Sequence, residues 1–145
     1  MILRFMRRLA FVTAIFVTLV SFCMTARAQT MLPPGQGFRP TPPEVVQLPK
    51  FCWGKWTNYK GPEYEISRKL CGVGTNHYCP ALVELLRANR SFGNTKARRG
   101  YLGAARQGTL YTLKAIEGYP NCPIRGHAEG TLHLVDPLWR AAGGK

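Results

Sequence analysis

His77 stands two residues before Cys79, and a thiol with a nearby imidazole is the smallest set that could make a nucleophile and its base. No acidic partner lies near it in the sequence to orient the ring, and a histidine beside a helix start more often caps or packs. Cys122, His127 and His133 lack the paired short spacings of a structural zinc site, and the chain contains no Cys-x-x-Cys, so no metal is expected. His127 falls on the apolar side of a helical pattern, as a core-edge histidine would, and His133 falls on another side. Glu63 and Glu65 form the one close pair of acids. Glycine, proline and aromatic residues surround them, which reads as a loop with solvated carboxylates and not the shaped site that a glycosidase pair needs. The reading is of a protein with no catalytic residues and no cofactor, and not of an enzyme.

The strongest charge signal is Arg87, Arg90, Lys96, Arg98 and Arg99, five cations within 13 residues and no acid among them. Such a run is either a solvated helix end and turn or a patch that binds an anion or a partner. Phe92 and Tyr101 flank it. Exposed aromatics there would favour contact with a membrane surface or a sugar, and buried ones would favour the solvated helix end.

The elements that must position these residues begin with a leader. Residues 1–8 carry Arg4, Arg7 and Arg8 and no acid, and Leu9 to Met24 is an uncharged, mostly apolar stretch of 16 residues. A membrane span needs about 20. Ala26-Arg27-Ala28 then places small side chains where signal peptidase requires them, so residues 1–28 read as a cleavable signal peptide and Gln29 as the first mature residue. Cleavage removes four arginines and takes the net charge from +13 to +9 over 117 residues, enough for one domain. The expected location is the bacterial periplasm or the outside of the cell, where a basic domain meets lipopolysaccharide, cell wall or acidic polysaccharide and no cytoplasmic nucleic acid. Four cysteines remain in that oxidising setting, Cys52, Cys71, Cys79 and Cys122, which means two disulfides. Four cysteines allow three connectivities, and composition leaves them open.

Residues 29–49 hold six prolines and read as an extended arm. Residues 50–75 read as a loop-rich lid whose Trp53, Trp56, Tyr59 and Tyr64 pack over the helices that follow, with disulfides fixing it. The domain proper is residues 50–145. Leu82, Leu85 and Leu86 give a first helix from about Pro80 to Arg90, with Pro80 at its first position. Ser91 to Thr95 is a turn. A second helix runs from Ala97 to Ile116, and its Gly100, Gly103 and Gly108 each cost about 1 kcal/mol relative to alanine, so close packing must stabilise it. A third pattern starts at Asn121-Cys122-Pro123 and is broken by Pro137. The two Cys-Pro starts lie 43 residues apart, the spacing of stacked helical hairpins. The expected fold is all-α, a helical hairpin plus a capping helix. In such a stack the first and third helices run parallel, which puts the cysteines at one end and the basic turn at the other.

The stretch Asn76-His-Tyr-Cys-Pro-Ala-Leu-Val-Glu-Leu-Leu-Arg-Ala-Asn-Arg-Ser resembles the His-Tyr-Cys-x-Gly-Leu and Asn-Arg-Ala motif of small exported proteobacterial proteins with tetratricopeptide-like repeats. Cys52-Trp53, Tyr101-Leu-Gly-x-Ala and Tyr111 look like that family's companion positions, so the likeness spans about Phe51 to Leu134. Pro80-Ala81 departs from the motif, which has an aromatic residue and glycine there. The resemblance implies a helical repeat used for protein contacts. It also implies pairing of Cys52 with Cys79, which leaves Cys71 with Cys122; a tight Cys71–Cys79 bridge is the rival. The function expected is an adaptor for another envelope protein, with a polyanion-binding protein as the alternative. The first expected outcome concerns export: the intact mass of the envelope form should begin at Gln29, and a species that keeps residues 1–28 would mean an anchored protein.

Overall fold

The computed structural model describes residues 39–145, and every regular element among them is helical. In chain order these are α1 (Pro42–Val45), α2 (Lys50–Trp53), α3 (Pro62–Cys71), α4 (Gly74–Arg90), α5 (Thr95–Ala115) and α6 (Arg125–Ala141). The predicted signal peptide and residues 29–38 of the arm lie outside the described residues. No described helix is long and apolar enough to cross a membrane.

Asn94 starts α5 because its side-chain oxygen accepts the Ala97 N–H at 3.0 Å and so satisfies one of the free donors of a helix start. The expected second helix is therefore found within two residues of its predicted bounds. The first and third differ from expectation at their prolines. α4 starts at Gly74 and carries Pro80 in its interior, not at its first position. Proline there forfeits one backbone hydrogen bond, and continuing the helix through it buries Tyr78 and Cys79 almost completely. α6 starts at Arg125, after the Cys-Pro pair, and runs through Pro137 to Ala141. The gain on that side is Leu138 and Trp139, which pack onto Tyr101, Leu102 and Ala105. Gly143, at φ 83°, ends the helix: its N–H donates to the Arg140 carbonyl at 2.9 Å, and the Gly144 N–H donates to that of Trp139 at 3.0 Å.

The segment expected as a loop-rich lid contains α2 and α3. Glycines, prolines and aromatics masked an ordinary helix code in α3, with Pro62, Glu63 and Glu65 in the first turn and Arg68 and Lys69 in the last. Two disulfides join this segment to the long helices, Cys52–Cys79 and Cys71–Cys122. All four cysteines lie in one core cluster with Leu48, Phe51, Tyr78, Val83, Ile116 and Ile124, and Trp53 and Trp56 pack against it. A second cluster, Ala88, Tyr101, Leu102, Ala105 and Val135, fills the other end. Between them α4 and α5 pair closely. A Cβ on Gly108 would lie 2.9 Å from the Ala81 Cβ, so only glycine permits this approach and the small-residue reading of the second helix holds at that position.

The last part of the expected arm is helical and half inside the fold. Thr41 and Glu44 cap α1 reciprocally, the Thr41 N–H donating to Glu44 Oε2 at 2.8 Å. Glu44 is only 4% exposed and Glu84 on α4 only 2%, and Arg87 lies between them. Arg87 Nε is 3.1 Å from Glu44 Oε1, and Nη1 is 3.3 Å from Glu84 Oε1. Burial alone would raise the Glu44 carboxyl, but hydrogen bonds from Arg87 and Thr41 hold it below the ordinary value. Glu84 goes the other way, pushed up by burial despite Arg87. Glu44 thus stabilises the fold above the usual glutamate pKa of about 4.3, and that contribution is lost as pH falls through its lowered folded value. Glu84 has the opposite slope, favouring the fold as it becomes protonated. Arg87→Met should therefore cost about 3 kcal/mol in urea denaturation of the oxidised protein at neutral pH, because buried Glu84 loses its cation and buried Glu44 keeps only Arg90, at 3.5 Å. The deficit should shrink as pH falls and both protonate. A constant deficit across pH would show that Arg87 acts only by packing.

Candidate functional site

Ser91 caps the end of α4 and Asn94 opens α5, so the basic turn is held at both sides by hydrogen-bonded caps. The structure divides the five cations predicted there. Arg87 is withdrawn from the surface into its pairs with Glu44 and Glu84, and Arg90 reaches back to Glu44 Oε1 at 3.5 Å. Both contacts join α1 to α4; the Arg87 side chain is taken up inside the fold, while that of Arg90 stays 41% exposed beside the turn. Lys96, Arg98 and Arg99 remain at the turn. The Arg98 guanidinium lies 4.9 Å from the centroid of the Phe92 ring, which is 72% exposed. Tyr101, the other flanking aromatic, is 2% exposed in the second core cluster. Of the two predicted flanks, only Phe92 can meet a partner.

Lys96 and Arg99 line an open groove of about 800 Å³ between the first turns of α5 and the end of α6, with Asn94, Gly100, Gly103 and Trp139 among its walls. Neither cation has a carboxylate partner among the described residues. The sequence holds no acid from residue 85 to residue 116, so no acid adjacent in sequence offsets them. Trp139 escapes sequence reasoning, which reads Pro137 as a stop. Its ring sits over Gly103, where a Cβ would lie 3.1 Å from Nε1, and the Arg106 guanidinium is 4.8 Å from its centroid. Arg106 and Arg140 both pair with Asp136, and the Arg106 hydrogen bond holds the Asp136 carboxyl below its ordinary value. Asp136, three residues before Trp139, is thereby paired.

The cysteines and the basic turn occupy opposite ends. From Cys79 to Ser91 the helix advances about 18 Å at 1.5 Å per residue, and the two core clusters divide in the same way. The histidines are separate from one another. The His77 ring is 4.0 Å from that of Tyr111, His127 is 5.5 Å from Phe51, and His133 lines a shallow groove between α5 and α6. Glu63 and Glu65 stand on the first turn of α3 and not in a loop; Glu63 accepts the Tyr59 hydroxyl at 2.6 Å, and Glu65 pairs with Arg68. Among the described residues no three His, Cys, Asp or Glu side chains are grouped to hold a metal. Comparison of the chain with protein-family models, curated proteins and solved structures gives no match, so the functional reading rests on these residues.

Proposed function

We propose that the protein is an exported, non-catalytic adaptor that binds an acidic surface of another envelope protein through its basic end. The observation that carries this reading is the single groove shared by Lys96, Arg99 and Trp139. Tryptophan and arginine are the side chains on which interface energy concentrates, and cations without partners steer an acidic surface toward them. Export is supported by the predicted leader together with two disulfides, which form in oxidising compartments. The antiparallel pairing of α4 with α5, followed by α6 packed on α5, supports a tetratricopeptide-like arrangement. In that arrangement α2 and α3 form the disulfide-tied lid over the far end.

Replacing Lys96 and Arg99 together by serine should leave stability within about 1 kcal/mol, since exposed unpaired charges contribute little to it. Crosslinking in the native envelope, followed by mass spectrometry, should recover one protein partner from the wild type and much less from the double variant. Capture that persists at moderate ionic strength supports a protein interface built around Trp139. Capture of lipopolysaccharide or acidic polysaccharide that collapses with salt would replace the adaptor by a polyanion-binding protein. Unchanged capture by the double variant would move the functional surface away from this groove.

A further inference from the structure

We infer that a second site, at the disulfide-linked end, binds a small carboxylate carried on an aromatic ring. The site is a cleft of about 380 Å³ among α2, α3, the start of α4 and Tyr119, more enclosed than the basic groove. That volume lies at the small end of the ~300–1,000 Å³ typical of ligand sites, so it suits one ring and not a polymer. Three rings from separate parts of the chain wall it: Phe51 on α2, Tyr64 on α3, and Tyr119 after α5. The polar side chains are few, Lys55, Arg68 and Asn76. Apolar walls with a small number of converging polar groups are the composition of a small-molecule site. Aromatic pairs gain energy beyond the area they bury, which favours a planar ring over an aliphatic one.

Lys55 supplies the charge selection. Its Nζ lies 3.5 Å from Asn76 Oδ1 and 5.8 Å from the centroid of the Trp56 ring, and no carboxylate pairs with it among the described residues. Partial desolvation holds its ammonium below the ordinary lysine value although the residue as a whole is exposed, so an anion in the cleft would restore what hydration has lost. Arg68 differs, because Glu65 already accepts from it at 3.3 Å. One net cation therefore faces the cleft, which matches one carboxylate.

The two cross-links build this cleft before any ligand arrives. Cys52 follows Phe51, Cys79 is itself part of the lining, Cys71 precedes Gly72, and Cys122 lies three residues after Tyr119. Walls fixed in advance lower the ordering cost of binding. Gly72 has φ 55°, and a Cβ there would lie 2.7 Å from the Tyr119 hydroxyl oxygen, so glycine leaves the ring its place at the rim.

The test is calorimetric titration of the intact, oxidised protein with 4-hydroxybenzoate and, separately, with the uncharged 4-hydroxybenzamide. The acid should bind about tenfold or more tightly than the amide, the worth of one charge-assisted hydrogen bond. Lys55→Met keeps the length and apolar stem of a residue that is largely exposed, with only its ammonium partly desolvated, so it should leave folding intact, weaken the acid by a similar factor and leave the amide unchanged. Lys96→Ser with Arg99→Ser should bind the acid like the wild type, which separates this site from the basic groove. Failure of 4-hydroxybenzoate to bind in the millimolar range would overturn the inference. So would equal affinity for acid and amide, or loss of binding in the groove variant with Lys55→Met unaffected.

Discussion

Two covalent links, Cys52–Cys79 and Cys71–Cys122, hold the parts of this chain that could not hold themselves. α2 is one turn long and α3 less than three, well short of the length at which an isolated helix persists in water. Cys52 lies on α2, and Cys71 is the last residue of α3. The bridges span 27 and 51 residues, and in the chain-entropy account each stabilises by about 3 to 4 kcal/mol. Against a typical domain stability of about 5 to 15 kcal/mol, that is a large share. The core they reinforce is modest, with alanine, threonine and cysteine prominent among its fully buried side chains. A chain of this size and composition fits a compartment in which disulfides last.

The opposite end is fastened by charge. Glu44, Glu84, Arg87 and Arg90 join α1 to α4, and of the five cations of the basic turn Arg87 is buried in doing so. What remains at the surface is a smaller, better-defined cationic feature, in which Lys96 and Arg99 share a groove with Trp139 while Arg98 stacks on Phe92. The molecule thus has a chemically quiet, cross-linked end with an aromatic cleft and a charged end with an open groove, separated by the close α4–α5 pairing at Gly108.

The all-α class, the turn between Ser91 and Asn94, the extent of α5 and the number of disulfides were legible because each follows from local signals: periodicity, a capping residue, an even count of four cysteines beyond the predicted leader. Their pairing came from the resemblance. The prolines were misleading because helix-breaking is a local penalty of a few kcal/mol. At Pro80 and Pro137 it is offset by burial of Tyr78, Leu138 and Trp139, which only the tertiary structure shows. Arg87 was misassigned for a related reason: its partner Glu44 lies 43 residues away, in a segment whose proline content read as extended. The aromatic cleft was invisible for the same cause, since Phe51, Tyr64 and Tyr119 are far apart in sequence and converge only in the tertiary structure.

The central claim is that the cross-links, and not the local stability of α2 and α3, hold the cleft-bearing end onto the long helices. Native-state hydrogen exchange on the protein before and after gentle reduction tests it most directly, because exchange reports the opening of each segment separately. The account predicts that reduction strips protection from amides in α2 and α3 while the interiors of α4 and α5 stay protected. Unchanged protection in α2 and α3 after both bridges are shown to be reduced would contradict it.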